Sequence, residues 1–325
     1  MAGRSDNRRM ERIPLIIDCD PGVDDAVALF LAFASPGDLD IRAVTTVGGN
    51  VDAAQTARNA RILRSLAGLG AEPPVFAGAQ QPLVRTLDIA DHFHGEAGLG
   101  SMTPFEPEHG LGEGSSAQAI VDIVMAAEPK TVTLAITGPM TNAALAMRQE
   151  PALAGRLKRI VAMGGSRAEG GNITASAEYN IWADPEAADE VLSSEAHVVL
   201  LGLDVTHQVR TPDAVIEVIR AIGTPAAEAT ASMLDYGQYT ARKWDEGQEG
   251  PMHDPCVIAW ILDPTLFQLE PCEIRVETQS DLTRGHTQVE FRIPEPEAAR
   301  HLWGVKADGK GVFDLIVSRL REQAA

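Results

Sequence analysis

The sequence predicts an α/β protein, a mainly parallel sheet flanked by helices in an open, Rossmann-like arrangement, folded as a single domain with helical insertions. Three observations predict it. Short apolar, β-branched runs alternate with longer stretches of helical period, the pattern of parallel strands joined by crossover helices. Glycine and small polar residues follow the first four predicted strands, at the end where such sheets collect ligands. No change of composition, internal repeat or low-complexity segment marks a linker.

Taken in order, the opening MAGRSDNRRMER is polar and charged, so residues 1–12 are expected to be a disordered tail and 13–325 the folded domain. The run IPLII after it is too short for a signal-peptide core and reads as the start of a first strand, Ile13–Asp18. Helical period then predicts Asp24–Ala34, and a β-branched run predicts a second strand over Ile41–Val47. Helices Ala53–Ala67 and Ser116–Ala127 precede a strand at Thr131–Thr137. Helix Asn142–Gln149, strand Arg159–Met163, helix Pro185–Ser193 and strand His197–Leu201 continue the alternation. Beyond position 205 the chain reads as helix-rich through Arg242. A loop, a helix from Asp254 to Leu262, strands near Cys272–Glu277 and Thr287–Arg292, and a last helix near Phe313–Glu322 complete it.

With 27 Lys and Arg against 46 Asp and Glu, the chain carries a formal charge of −19 and no basic stripe. Nucleic-acid binding draws on cations that neutralise phosphates, so such a partner is excluded. The longest apolar stretch, Ala26 to Ala34, is nine residues, against the roughly twenty of a membrane-spanning helix, so no membrane partner is expected. Cys19, Cys256 and Cys272 form no CxxC pair and are odd in number, which points to a reducing, cytoplasmic setting with three small buried residues.

The chemistry concentrates after the first strand, in Asp18-Cys-Asp20-Pro-Gly-Val-Asp24-Asp25. Four carboxylates folded against one site would repel one another, and a bound hard cation removes that conflict. Oxygen ligands at this density suit Ca²⁺ or Mg²⁺ and not zinc. An EF-hand is ruled out, because counting from Asp18 the twelfth position is Leu29 and not a bidentate Glu. Helix capping by Asp24 and Asp25 with turn chemistry at Asp-Pro-Gly, and a DxD phosphohydrolase with Asp18 as nucleophile, remain as alternatives.

Three other patterns carry little. Gly304 to Lys310 has Walker spacing, but Gly311 stands where the metal-binding hydroxyl belongs. No GxGxxG opens the first helix. Asn172-Ile173-Thr174 is a glycosylation sequon, which matters only in a secreted chain, and no export signal is read here.

The acidic segment resembles the N-terminal signature of the inosine/uridine-preferring nucleoside hydrolase family. The likeness continues in family order through His94-Gly95-Glu96-Ala97-Gly98-Leu99, Thr137-Gly138-Pro139 with Thr141-Asn142, and Met163-Gly164-Gly165. Gly171-Asn172, Glu178-Tyr179-Asn180 and His253-Asp254-Pro255 complete it. It runs from about Pro14 to the C-terminus, so 13–325 is identified as a nucleoside hydrolase-like catalytic domain.

The resemblance implies that Asp20, Asp25, Asp254 and the carbonyl of Thr137 hold one Ca²⁺, with Asp20 doubling as general base. It implies that Asp24, Asn50 and Asn180 bind the ribose hydroxyls, that Asn172 and Glu178 grip the 5′-hydroxyl, and that Met163 lies near the sugar. His253 is then the candidate proton donor to the departing base, and His94, in a Gly-rich segment that reads as either a lid or a solvated loop, a further catalytic candidate. One of Tyr236, Tyr239 and Trp244 either stacks on the base or packs in the core. The implied reaction is hydrolysis of a ribonucleoside to free base and ribose, by a homodimer or homotetramer. These residue types suit it independently: carboxylates and amide oxygens stabilise an oxocarbenium-like ribosyl cation, and a His can protonate a poor leaving group. A nucleoside- or ribose-binding protein without turnover is the alternative of another class.

Overall fold

A computed structural model describes residues 12–244 and 249–324. Its strands are β1 (Ile13–Cys19), β2 (Leu39–Thr46), β3 (Val75–Phe76), β4 (Thr133–Ile136), β5 (Arg159–Met163), β6 (Val198–Leu201), β7 (Phe267–Val276), β8 (Thr287–Glu290) and β9 (His301–Ala307). The helices begin with α1 (Val23–Phe33), α2 (Ala53–Leu66), α3 (Asp91–His94), α4 (Ser116–Ala126), α5 (Thr141–Gln149), α6 (Leu153–Arg156) and α7 (Tyr179–Ala183). They continue with α8 (Pro185–Ser193), α9 (Leu203–Thr206), α10 (Asp213–Arg220), α11 (Pro225–Trp244), α12 (Pro255–Leu262) and α13 (Gly309–Ala324).

The strands form one sheet in the order β3-β2-β1-β4-β5-β6-β9-β7-β8. The seven from β3 to β9 in that order are parallel, and β7 and β8 are added antiparallel at the edge. The predicted α/β class and open parallel sheet are therefore observed. The order reverses between β1 and β4, and a crevice opens at such a switch point because the crossover helices leave on opposite faces. Asp18 of β1 lies opposite Thr45 of β2 and Ile136 of β4, so the residues that follow β1, β2 and β4 converge there.

Two apolar layers hold the sheet. On one face α1, α11, α12 and α13 contribute Leu29, Phe30, Leu234, Ile258 and Phe313; on the other α4, α5 and α8 contribute Ile120, Ala143, Ala144, Val191 and Leu192. Every residue of α1 except Asp24 is buried, so this helix is fixed by packing on all sides. Truncating Phe30, fully enclosed in that layer, to Ala would cost about 3–5 kcal/mol. No helix among the described residues is long and apolar enough to cross a membrane.

Several boundaries move, and β3 and β9 were not anticipated. β9 contains Gly304, which weakens a strand signal. The glycine is there because a Cβ would press on Val205 and Leu201. The Walker-spaced glycines accordingly lie in a strand and at the start of α13 rather than in a phosphate-cradling loop. β7 begins five residues earlier than predicted, since Pro271 interrupts the β-branched pattern yet pairs with Leu302. The predicted tail lies, but for Arg12, outside the described residues, as does the side chain of Trp244.

Candidate active site

The loop after β1 carries the acidic cluster into the switch-point crevice. Gly22, at the N-terminus of α1, donates its N–H to Asp25 Oδ2 at 3.0 Å. Asn50 Nδ2, from the loop after β2, donates to the same Oδ2 at 3.0 Å and to the carbonyl of Asp20 at 3.1 Å. Thr137, following β4, donates its hydroxyl to Asp25 Oδ1 at 2.7 Å. Three strand ends are thus tied to one carboxylate. Burial, and then the charge of Asp24, push the Asp25 carboxyl up to about 6.

Asp20 is fully buried. Its Oδ2 accepts the N–H of Asn50 at 2.8 Å, while Oδ1 has no partner. Gly49 and Gly138 line its carboxylate so closely that a Cβ on either would collide with it. Burial followed by the charge of Asp25 raises its proton affinity well above the usual carboxylate range.

Asp254, from the other end of the chain, is buried and raised in the same direction by burial and then by Asp24, Asp25 and Asp20. Carboxylate oxygens of Asp24, Asp25 and Asp254 lie within 4.8 Å of one another. Asp24 rather than Asp20 completes this trio, although the sequence assigned Asp24 to the sugar. An orphaned buried oxygen on Asp20, an all-oxygen donor set and carboxyls that burial makes reluctant to ionise together fit a hard divalent cation.

A cleft of about 130 Å³ lies over this cluster, at the switch point where open α/β sheets take small molecules. Asp24, Asn50, His94, Thr137, Met163, Asn172, Glu178, Asn180, His253 and Asp254 all line it. Asp20 and Asp25 sit behind that wall. Asn180 Nδ2 donates to the carbonyl of Thr137 at 2.7 Å and reaches Met163 Sδ at 3.4 Å. Glu178 caps α7: its oxygens accept the N–H groups of Gly165, Asn180 and Ile181. Burial raises its pKa, and those backbone donors oppose the rise. Asn172 Oδ1 accepts the N–H of Tyr179 at 2.9 Å, which leaves its amide hydrogens as donors.

The two histidines are held differently. His94 is buried, and its Nδ1 accepts the N–H of Val23 at 3.1 Å, so the neutral ring carries its proton on Nε2. It is not a solvated loop residue. The segment around it is anchored by Asn59, whose Nδ2 donates to the carbonyls of Ala97 and Pro21. His253 Nδ1 lies 2.8 Å from the hydroxyl of Thr206. Burial lowers the pKa of both rings, that of His253 to about 4.

Asp18 does not line the cleft. It is buried beneath, with Oδ1 accepting from Thr45 and Asn142 at 2.7 and 2.8 Å, which speaks against a nucleophilic role. Tyr236 packs against Gly100, Tyr239 is largely exposed, and neither lines the cleft. The aromatic wall is formed instead by Phe93 and Tyr179, with His92 and Ile173 beside them. In the sequence Tyr179 stands out only as the middle of the Glu-Tyr-Asn motif. Its sequence neighbours, two polar site residues, were the available signal.

An open parallel sheet that gathers carboxylates, amides and histidines around one cleft at its switch point defines a small-molecule enzyme of the α/β class. Residues 15–314 match the family model for inosine-uridine preferring nucleoside hydrolase. An inosine-uridine preferring nucleoside hydrolase of Leishmania major is 40% identical over 307 residues, 94% of this chain and 96% of that one. The pyrimidine-specific ribonucleoside hydrolase RihA of Photobacterium profundum is 45% identical over 314 residues, 94% and 98% of the two chains. In structure, a purine-preferring ribonucleoside hydrolase from Gardnerella vaginalis superposes with a TM-score of 0.89 at 29% identity, covering 96% of this chain and 99% of its own. The chain belongs to the inosine-uridine preferring nucleoside hydrolase family, and it is a ribonucleoside N-glycosidase.

Proposed function

We propose that the chain hydrolyses the N-glycosidic bond of ribonucleosides with the aid of Ca²⁺, releasing free base and ribose. The observation that carries this is the meeting of Asp24 and Asp25 with Asp254, from opposite ends of the sequence, within 4.8 Å beneath the cleft. Asp20, Asp25, Asp254 and the carbonyl of Thr137 would hold the ion. When bound, it supplies positive charge that lowers the pKa of water and attracts the vicinal hydroxyls of a ribose.

The rest is the work of this chain's side chains. The free Oδ1 of Asp20 accepts a proton from the water that attacks C1′, a task suited to a carboxylate of raised basicity. Asp24, Asn50 and Asn180 bind the 2′- and 3′-hydroxyls. Asn172 donates its amide hydrogen to the 5′-hydroxyl, and Glu178, held as the cap of α7, faces the same end. As the glycosidic bond lengthens, positive charge grows on the ribosyl ring, where carboxylates, amide oxygens and the Met163 sulfur surround it. His253 presents a proton to the departing base, and His94 contributes Nε2–H on the same side. We place this activity in the cytoplasm, consistent with three free, buried cysteines, and in a homodimer or homotetramer.

The test is release of free base and reducing sugar from a panel of nucleosides by purified protein with Ca²⁺, repeated after chelation. Release that stops on chelation and returns with Ca²⁺ is expected. Equilibrium binding of nucleoside without any product would favour the binding-protein alternative instead.

A further inference from the structure

We infer that Thr206 is a positioning residue for leaving-group protonation: its hydroxyl holds Nδ1 of His253 and thereby turns Nε2 toward the nucleobase. This rests on the nucleoside-hydrolysis reading above and extends it to a residue outside the motifs that carry the family resemblance.

Thr206 closes α9, the single turn after β6, and is completely buried. Its hydroxyl lies 2.8 Å from His253 Nδ1 and has no other hydrogen bond among the described residues. Both sides of this contact are locked at the backbone. On the Thr206 side, Asp204 accepts the N–H groups of Arg167 and Ala168 at 2.7 and 2.8 Å, and Leu203 donates its N–H to the Gly165 carbonyl at 2.9 Å. On the other side, Met252 donates its N–H to the carbonyl of Val209 at 2.8 Å, and Arg210 bridges to Pro251. The backbone on neither side can move away without breaking one of these anchors.

A ring held at one nitrogen offers only the other to a ligand, and His253 lines the cleft. His207 does not compete for the same contact. Its Nδ1 pairs with Glu169 Oε2 at 3.1 Å, and its ring stands 5.7 Å from that of His253. The choice of a hydroxyl has a chemical reason. A hydroxyl can donate to the bare Nδ1 of the resting neutral ring and accept from Nδ1–H of the imidazolium, and that Nδ1–H stays bonded to it when Nε2 gives its proton to the base. The electron pair of the breaking C1′–N bond stays on the base, which takes that proton, and the ring regains one from solvent. A methyl in place of the hydroxyl leaves Nδ1 buried without a partner and frees the ring to rotate.

The experiment compares two substrates. Natural nucleosides need a protonated leaving group, whereas the phenolate of 4-nitrophenyl β-D-riboside departs without one. For Thr206→Val, kcat on uridine and inosine is expected to fall by about 10- to 100-fold, part of what a placed acid supplies, while KM stays within about twofold. The same variant should keep its rate on 4-nitrophenyl riboside within about threefold, and Thr206→Ser should restore nucleoside turnover to a similar margin. In a His253→Ala background, Thr206→Val should cost nothing further. Equal losses on both substrates, a loss confined to KM, no loss at all, or an additive loss in the double variant would each overturn the role of Thr206. Parent protein inert on both substrates would sink the hydrolase reading and this role together.

Discussion

Asp25 and Thr137 stand 112 positions apart and share a 2.7 Å hydrogen bond, from the Thr137 hydroxyl to Asp25 Oδ1. Through it the end of β4 is joined to the first turn of α1 across the point where the strand order reverses. Thr137 also accepts from Asn180 at its carbonyl, so one residue orients a carboxylate of the proposed ion site and an amide of the proposed sugar site. Replacing it by Val keeps the shape and removes the donor. Partners of this kind change metal affinity by about 10- to 100-fold, so Thr137→Val is expected to weaken Ca²⁺ binding by that factor in a calcium titration. Unchanged affinity would show that Asp25 is oriented by Gly22 and Asn50 alone.

Asp20 is expected to separate stability from activity. Asn has nearly the same shape, so the contacts with Gly49 and Gly138 survive, but Oδ1 no longer accepts a proton and a buried charge is removed. Asp20→Asn should lower kcat by about 10³-fold or more, with an unchanged circular dichroism spectrum. Its melting temperature in chelator should equal or exceed that of the parent, because burying this carboxyl costs stability whether it stays ionised or has to take up a proton. A variant that melts lower in chelator would mean that the carboxylate is needed for folding itself.

How much of this was legible in the sequence depends on how locally each feature is encoded. Asp18, Asp20, Asp24 and Asp25 fall within eight consecutive positions, and their crowding pointed to a cation; the family resemblance of the later motifs supplied Asp254, Asn180 and His253. The alternation of apolar runs and helical periods was enough for β1, β2, β4, β5 and β6. Tyr179 and Thr206 were missed because their roles arise from packing between distant segments, 130 positions apart in the bond from Tyr179 to Gly49 and 47 in that from Thr206 to His253. The strand β9 was hidden by a glycine that serves close approach instead of a turn. The division of labour between Asp20 and Asp24 rests on a few ångströms of side-chain placement, which spacing along the chain does not encode.

The buried acids predict a pH effect of definite sign. Burial raises the proton affinity of Asp20, Asp254 and Glu178, and lifts Asp25 to about 6 and Asp18 to about 7 from 3.8. Between the ordinary carboxylate value and these raised ones, the five carboxyls hold protons in the folded chain that they lose in the unfolded one, outnumbering His94, His253 and His301, whose lowered values act in the opposite sense. Stability therefore falls as pH rises through that window. In chelator, the melting temperature is expected to drop by about 5 °C or more between about pH 5 and about pH 8. Calcium binds the ionised carboxylates, so the stabilisation it confers should grow over the same interval. A chelated protein equally stable at both ends would mean that these carboxyls titrate normally.

Tyr179 offers a test of the aromatic wall. Its hydroxyl reaches the carbonyls of Gly49 at 2.7 Å and Asp88 at 2.8 Å, while its ring lines the cleft beside Phe93 and Ile173. The hydroxyl thus ties the glycine turn that flanks Asp20 to the segment leading into α3. A single proton cannot serve both carbonyls fully, so Tyr179→Phe forfeits about one hydrogen bond, roughly 0.5–1.5 kcal/mol. Thermal unfolding should therefore move down by only a few degrees, about 1–4 °C. The ring stays, and with it the apolar contact to substrate, but the wall it belongs to loses its tether. KM for nucleosides is expected to rise by about three- to tenfold with kcat nearly unchanged, the signature of binding lost equally from ground and transition states. A fall in kcat at constant KM would instead mean that the tether acts on Asp20 through Gly49, and that this tyrosine helps to set the geometry of the base.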